Sequence, residues 1–320
     1  MMVKGFTYGW DAHRGMYKTE ESKESIHALA SLGCNYTALA FAVYQDTYSS
    51  THFGFDYKRT VTDREIELAI QRIKAEGMKV CLKPILNCKD GVWRACISFP
   101  ESGWNQDDYW DQWFDCYTAF ICHYAEIAEE TGCEMYCIGC EMVGTEKQEK
   151  HWRNLIEKVR NIYHGPIVYN ANHGKEQNVS WWDAVDYIGT SAYFPVASVP
   201  KDTKQHMLEG WNVQKERLKK IAKRYQKQIL FMEIGCRSAS GCAMMPWDFM
   251  HQELPYDEEE QANFYDSCLE AFHSEDWFLG YFWWDWYTNL YPIEEAKGNT
   301  GFAIYGKKAE QVLSDWYHRL

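Results

Sequence analysis

Along the whole chain, short apolar runs rich in β-branched and aromatic residues alternate with longer stretches of helical periodicity. A repeated strand-then-helix pattern builds a parallel sheet, so this alternation limits the fold to the α/β class. Strands are expected near residues 5–10, 35–43, 79–86, 134–140, 166–170, 186–193, 228–234 and 279–284. Eight runs joined by short turns, with no low-complexity linker, favour a closed (β/α)8 TIM barrel over an open doubly wound sheet. The 320 residues exceed the usual size of one core but suit such a barrel, which commonly holds about 250 residues or more. A single domain over residues 1–320 is expected.

The helical stretches carry their own punctuation. Thr62-Asp63-Arg64-Glu65 reads as a capping box, followed by Ile66, Ala69, Ile70 and Ile73 on one face and a stop at Gly77. Trp110, Trp113, Phe114, Tyr117, Ile121, Tyr124 and Ala128 recur at three- and four-residue steps before Gly132, as do Trp152, Leu155, Ile156, Val159 and Ile162 before Gly165-Pro166. The longest irregular stretches, residues 87–107, 235–257 and 285–307, each follow a strand. In a barrel that places them on the catalytic face.

Two glutamates stand at the ends of strands, Glu141 after Tyr136-Cys137-Ile138-Gly139-Cys140 and Glu233 after Ile229-Leu230-Phe231-Met232. An ionisable group at the tip of a buried run costs several kcal/mol unless it is paired or faces a cavity, so each position demands an explanation. The 92 residues between them make three units of about 31, the unit length of a barrel of about 250 residues, which assigns them to the fourth and seventh strands. Two carboxyl groups converging across a barrel mouth are the equipment of glycoside hydrolysis, one protonating the leaving oxygen and the other attacking the anomeric carbon. The structural alternative is simple pairing with Lys83, Arg94 or Arg237.

Charge and composition remove other classes. With 46 acidic against 33 basic residues the formal charge is -13, which repels a nucleic-acid backbone and an anionic membrane surface alike. No apolar run approaches the roughly 18 residues needed to span a bilayer. The opening Met-Met-Val-Lys leaves no room for a secretory signal before the first strand, so a cytoplasmic protein is expected, and its 12 cysteines are expected to be reduced thiols. Neither H-E-x-x-H nor G-x-G-x-x-G nor a Walker loop occurs, so no metal and no cofactor are expected.

Several segments together resemble a known family: Gly5-Phe6-Thr7-Tyr8-Gly9-Trp10, Lys83-Pro84, Ile138-Gly139-Cys140-Glu141-Met142, Asp186-Tyr187-Ile188-Gly189-Thr190-Ser191-Ala192-Tyr193-Phe194-Pro195, Phe231-Met232-Glu233-Ile234-Gly235 and Gly280-Tyr281-Phe282-Trp283-Trp284. In this order over nearly the whole chain they are similar to glycoside hydrolase family 113, of the large clan A of retaining (β/α)8 hydrolases. The resemblance implies hydrolysis of β-1,4-linked mannan or manno-oligosaccharides, with Glu141 as acid/base and Glu233 as nucleophile. It implies further that Tyr193 hydrogen-bonds the nucleophile and that Trp283 floors the sugar subsite beside the scissile bond. One departure is visible: many clan A enzymes carry Asn immediately before the acid/base, and Cys140 stands there, a poor donor by comparison. A gluco-type β-linked oligosaccharide is the alternative substrate.

Aromatic residues make up 16% of the chain, including 15 Trp, more than a core of this size requires. Trp10, Trp93, Trp283, Trp284 and Trp286 lie near strand ends and are candidate sugar platforms, whereas Trp110, Trp113, Trp152 and Trp316 lie on helical stripes and read as core. Strand alternation lets only one of Trp283 and Trp284 face inward. Lys83, Asn87, Arg94 and Asn172 follow or end strands and are the polar groups expected around sugar hydroxyls.

Two other functions compete. Cys133, Cys137 and Cys140 spell C-x3-C-x2-C, which looks like the cluster motif of radical S-adenosylmethionine enzymes, yet strung along a strand they would not fold into the one loop a cluster needs. A catalytically dead, glycan-binding barrel is the third class, and the presence of both glutamates argues against it.

Overall fold

The apolar runs satisfy one another's backbone groups as a parallel sheet that closes on itself. The protein, seen here in a computed structural model, is described over residues 2–100 and 109–320; residues 101–107 of the expected 87–107 loop lie outside the described residues. Its strands are β1 (Val3–Tyr8), β2 (Tyr36–Gln45), β3 (Phe53–Gly54), β4 (Lys79–Cys88), β5 (Met135–Cys140), β6 (Ile167–Asn172), β7 (Tyr187–Ser191), β8 (Ile229–Ile234) and β9 (Phe278–Trp286). The order β1-β9-β8-β7-β6-β5-β4-β2 is parallel throughout and closes through β1 and β2, while β3 is a two-residue antiparallel addition to the end of β2. The eight barrel strands are those expected from the sequence. They match the (β/α)8 TIM barrel.

Among the described residues the α-helices are α1 (Glu20–Ser31), α2 (Asp63–Ala75), α3 (Tyr109–Glu130), α4 (Glu149–Arg160), α5 (Lys204–Tyr225), α6 (Glu258–Phe272) and α7 (Lys308–Arg319). The capping box opens α2: Thr62 Oγ1 accepts from the Glu65 N–H while the Glu65 carboxylate accepts from the Thr62 N–H. Between β6 and β7 short 3-10 turns stand where the barrel pattern places a helix. Tryptophan fills the space there: Trp181 and Trp182 are fully buried, and Trp181 stacks on Trp152 of α4 at 4.8 Å. Part of the tryptophan excess is thus packing, not binding.

Inside the barrel Val3, Ala38, Cys81, Met135, Cys137, Val168, Leu230, Met232 and Phe282 pack into an apolar plug. Above it, register breaks re-aim particular side chains. Cys137 pairs with Val168 but Cys140 with Asn170, so three steps on β5 oppose two on β6. On β8, Phe231 and Ile234 pair with Tyr281 and Trp283, again three steps against two. A bulge of this kind turns a residue that strict alternation would send outward toward the axis. Gly139 sits in the first bulge, where a Cβ would meet the Tyr169 ring at 2.9 Å.

Candidate active site

The bulge on β8 points Glu233 into the mouth, where it is only 4% exposed. Its Oε1 accepts from Lys83 Nζ at 2.6 Å, from Cys140 Sγ at 3.2 Å and from Asn170 Nδ2 at 3.3 Å, and its Oε2 accepts from the Tyr193 hydroxyl at 3.3 Å. Burial pushes this carboxyl up, but the charges of Lys83 and Arg94 and the hydrogen bonds from Lys83 and Cys140 overcome it and hold it below the usual carboxylate range. Glu233 is ionised. Lys83 reaches it because Cys81, Lys83 and Ile85 alternate inward on β4. Burial opposes the Lys83 charge, and Glu233 outweighs burial and keeps it protonated.

Glu141, the first residue past β5, takes a left-handed conformation with φ 53°, rare for a residue with a side chain. The turn is pinned by its neighbours: the Glu141 N–H donates to the Asn170 carbonyl at 2.7 Å, and the Met142 N–H to the Tyr169 hydroxyl at 3.1 Å. Observed backbone strain at such a place is a mark of function. Its Oε2 accepts from Arg94 Nη2 at 2.8 Å, while Arg94 Nε donates to the Cys140 carbonyl, Nη1 to Asn87 Oδ1 and Nη2 also to Cys140 Sγ. Burial raises the Glu141 carboxyl; Arg94 lowers it, Glu233 raises it again, and the net shift is upward. One oxygen of each carboxylate and Cys140 Sγ all lie within 4.8 Å of one another. Such a trio has ligand spacing for a metal, but Lys83 and Arg94 already supply positive charge to both carboxylates and oppose a cation there.

The other expected residues divide. Asn87 holds Arg94, and Asn172 ends β6 with its carboxamide oxygen buried and without a partner among the described residues. Trp10 and Trp284 pack together at 5.4 Å on the rim between β1 and β9, both partly exposed, and Trp93, beside Arg94, is 46% exposed. Trp283 is a correction. It is fully buried, stacks on Tyr265 at 4.0 Å and donates its indole N–H to Tyr317 Oη, so it faces the helices and no sugar can reach it. Trp286 likewise is core, donating to Ser25. Phe282, in the plug, sets the alternation that leaves Trp284 facing the mouth; beyond Trp283 two steps on β1 oppose three on β9, from Phe6 and Tyr8 to Trp283 and Trp286, and Trp286 falls into the helix layer.

The thiols do not make a cluster site. Cys133 packs in the helix-facing core, Cys137 in the barrel plug and Cys140 at the mouth. Burial pushes all three thiols up, away from the thiolate that iron requires. Arg237 ties loops together through Thr300 and His251 and bonds to neither carboxylate among the described residues.

Sequence reasoning missed Asn170, His173, Trp247 and Asp285. Asn170 left a signal, a polar residue inside the buried run Val168-Tyr169-Asn170-Ala171. Asp285, buried just past Trp284, has one carboxylate oxygen unpartnered; burial and then the Asp11 charge push it up to about 7.

The family model of Glycoside Hydrolase Family 113 matches residues 6–307. Among solved structures, the chain is 38% identical to one described as a GH113 β-1,4-mannanase, with a TM-score of 0.92 and coverage of 100% of this chain and 99% of that one. A GH113 β-mannanase from Alicyclobacillus acidocaldarius, solved in complex with ManMIm, is also 38% identical, with a TM-score of 0.90 over 99% of this chain and 97% of that one. A β-glucuronidase from Faecalibacterium prausnitzii shares the fold alone, at 14% identity and a TM-score of 0.66 over 100% of this chain and 49% of that one. Comparison with curated proteins finds no match.

Proposed function

The chain belongs to glycoside hydrolase family 113, and from that premise we propose that it cleaves β-1,4-linked mannan or manno-oligosaccharides by double displacement, with Glu141 as acid/base and Glu233 as nucleophile. One observation carries this reading: two buried carboxyl groups within 4.8 Å are pushed in opposite directions, Glu141 up and Glu233 down. Pairs whose surroundings separate their proton affinities assign acid and base. The close approach of their nearest oxygens suits a retaining pair, whose carboxyl groups stand about 5–5.5 Å apart, better than an inverting pair at about 6.5–9.5 Å.

In the first step the ionised Glu233 attacks the anomeric carbon while Glu141 gives its proton to the glycosidic oxygen. Forming the glycosyl ester removes the Glu233 charge. That charge is one of the causes raising Glu141, so its loss lowers the Glu141 carboxyl and readies it to take a proton from the incoming water. Lys83, Tyr193 and Asn170 hold the attacking carboxylate in place, and Trp10 with Trp284 offers an apolar face to the sugar.

Glu233→Ala tests the assignment. Turnover of a manno-oligosaccharide should vanish and return with azide, the product being the α-glycosyl azide because a single displacement inverts the anomeric centre. Full activity in that variant sinks it.

A further inference from the structure

Resting on the mannanase reading, we infer that Trp247, stacked on His173 beside the Asn172 carboxamide, forms a sugar subsite on the leaving-group side of the scissile bond, occupied by the reducing-end portion of a manno-oligosaccharide.

The position of the subsite follows from the barrel order. The two aromatic rims lie across the mouth from each other: Trp10 and Trp284 at β1 and β9, His173 just past the end of β6. The β9 rim adjoins β8, which carries the nucleophile Glu233, and the end of β6 adjoins β5, which leads into the acid Glu141. A bound chain running from one rim to the other therefore puts its glycone by Trp284 and its leaving group by His173. Trp247, in the loop after β8, reaches over to that second rim and lies nearly parallel to His173, with ring centroids 5.3 Å apart at 21°. His173 in turn meets the ring of Tyr193 edge-on at 6.4 Å, and the Tyr193 hydroxyl bonds the nucleophile. The rim is thus continuous with the catalytic centre.

Its chemistry is that of a sugar site. Trp247 is 41% exposed, offering a flat indole to the apolar face of a pyranose. On β6, Asn170 faces the barrel axis, so alternation turns Asn172 the same way, one layer nearer the mouth. Asn172 is only 8% exposed, and its Oδ1 has no donor among the described residues, while the buried Nδ1 of His173 has no partner there of either kind, which a hydroxyl, both donor and acceptor, can meet. Buried polar atoms left unpaired are costly, and a sugar hydroxyl supplies the missing donor. Burial also holds the imidazole below its usual value, so the ring under Trp247 is neutral.

The test compares a substrate that fills this rim with one that leaves it empty. Mannopentaose places sugar on both sides of the cleaved bond, whereas β-mannobiosyl fluoride departs as a single atom. In Trp247→Ala the loss of kcat/KM on mannopentaose should exceed that on the fluoride by about tenfold or more, and the ratio of transglycosylation to hydrolysis should fall with it. Trp247→Phe, keeping a flat ring, should restore most of the loss, and Asn172→Ala should show the same selectivity as Trp247→Ala. Equal losses on both substrates, no loss on either, or a larger loss on the fluoride would overturn the subsite. A wild-type enzyme inert towards both substrates would sink the mannanase reading itself and the subsite with it.

Discussion

Glu141 and Glu233 are delivered to the same cavity by the same local device and then treated in opposite ways. Each sits at the end of a strand whose ladder slips by one residue, Glu141 just past β5 and Glu233 inside β8, and each has a cation bonded to one oxygen, Arg94 at 2.8 Å and Lys83 at 2.6 Å. Burial raises both. The difference lies in what else converges. Glu233 collects four donors on its two oxygens, from Lys83, Cys140, Asn170 and Tyr193, whereas Glu141 has the Ser191 hydroxyl and an Arg94 guanidinium that is divided among Asn87, the Cys140 carbonyl and the Cys140 thiol. A single ion pair does not decide protonation in a buried site. The number of donors spent on the charged form does.

The largest test of that difference removes the acid. Glu141→Ala should lower turnover of manno-oligosaccharides by about a thousandfold, within the range of general acid catalysis. A 2,4-dinitrophenyl glycoside, whose leaving group needs no proton, should still glycosylate Glu233 at near wild-type rate, visible as a burst of dinitrophenol. Equal losses on both substrates would mean that Glu141 is not the proton donor.

Removing the stronger cation comes next. The active form needs Glu233 ionised and Glu141 protonated, so kcat/KM falls on the acid side as Glu233 takes a proton and on the alkaline side as Glu141 loses one. Lowering the first carboxyl and raising the second widens the plateau between them. Lys83→Met takes away the charge that best offsets burial of Glu233, so the acid limb should move to higher pH by about one to three units, with about a hundredfold lower kcat/KM near neutrality. An acid limb that stays in place would show that Lys83 is a structural partner only.

Much of this was legible in the sequence, and the illegible part has a physical cause. Periodicity exposed all eight barrel strands, because burial on two faces leaves a continuous apolar run that survives without any tertiary knowledge. Glu141 and Glu233 stood out for the same reason, as charges at the tips of such runs. What alternation alone does not reveal is where a ladder slips. On β9 plain alternation from Phe282 in the plug sends Trp283 into the helix layer and leaves Trp284 on the rim, but the sequence does not show which phase an all-aromatic run takes, and the slip after Trp283 turns Trp286 into the helix layer as well. Trp247 and His173 were invisible for another reason: they come from separate loops, and only the folded chain stacks one upon the other. The missing helix between β6 and β7 belongs to the same class, since Trp181, packed on Trp152 of α4, and Trp182, packed on Trp181, fill its place through contacts that no local pattern announces.

The finest test concerns Cys140, whose thiol touches both sides of the comparison. Its Sγ donates to Glu233 Oε1 and accepts from Arg94 Nη2 and Asn170 Nδ2. Burial, with Glu233 next, pushes the thiol up and keeps it protonated, which is what lets it donate. Cys140→Ala removes a donor from Glu233, so the acid limb should rise, though by no more than about half a unit, because S–H is a weak donor and three others remain. The alkaline limb should hold. Arg94 is still fixed by the Cys140 carbonyl, a backbone atom the substitution leaves in place, and by Asn87, so its hold on Glu141 survives. A kcat/KM lowered only a few-fold, with one limb moved and the other fixed, is the expected profile. Movement of both limbs together would mean that the two carboxylates titrate as one unit through the sulfur, and that the opposite settings described above are not independent.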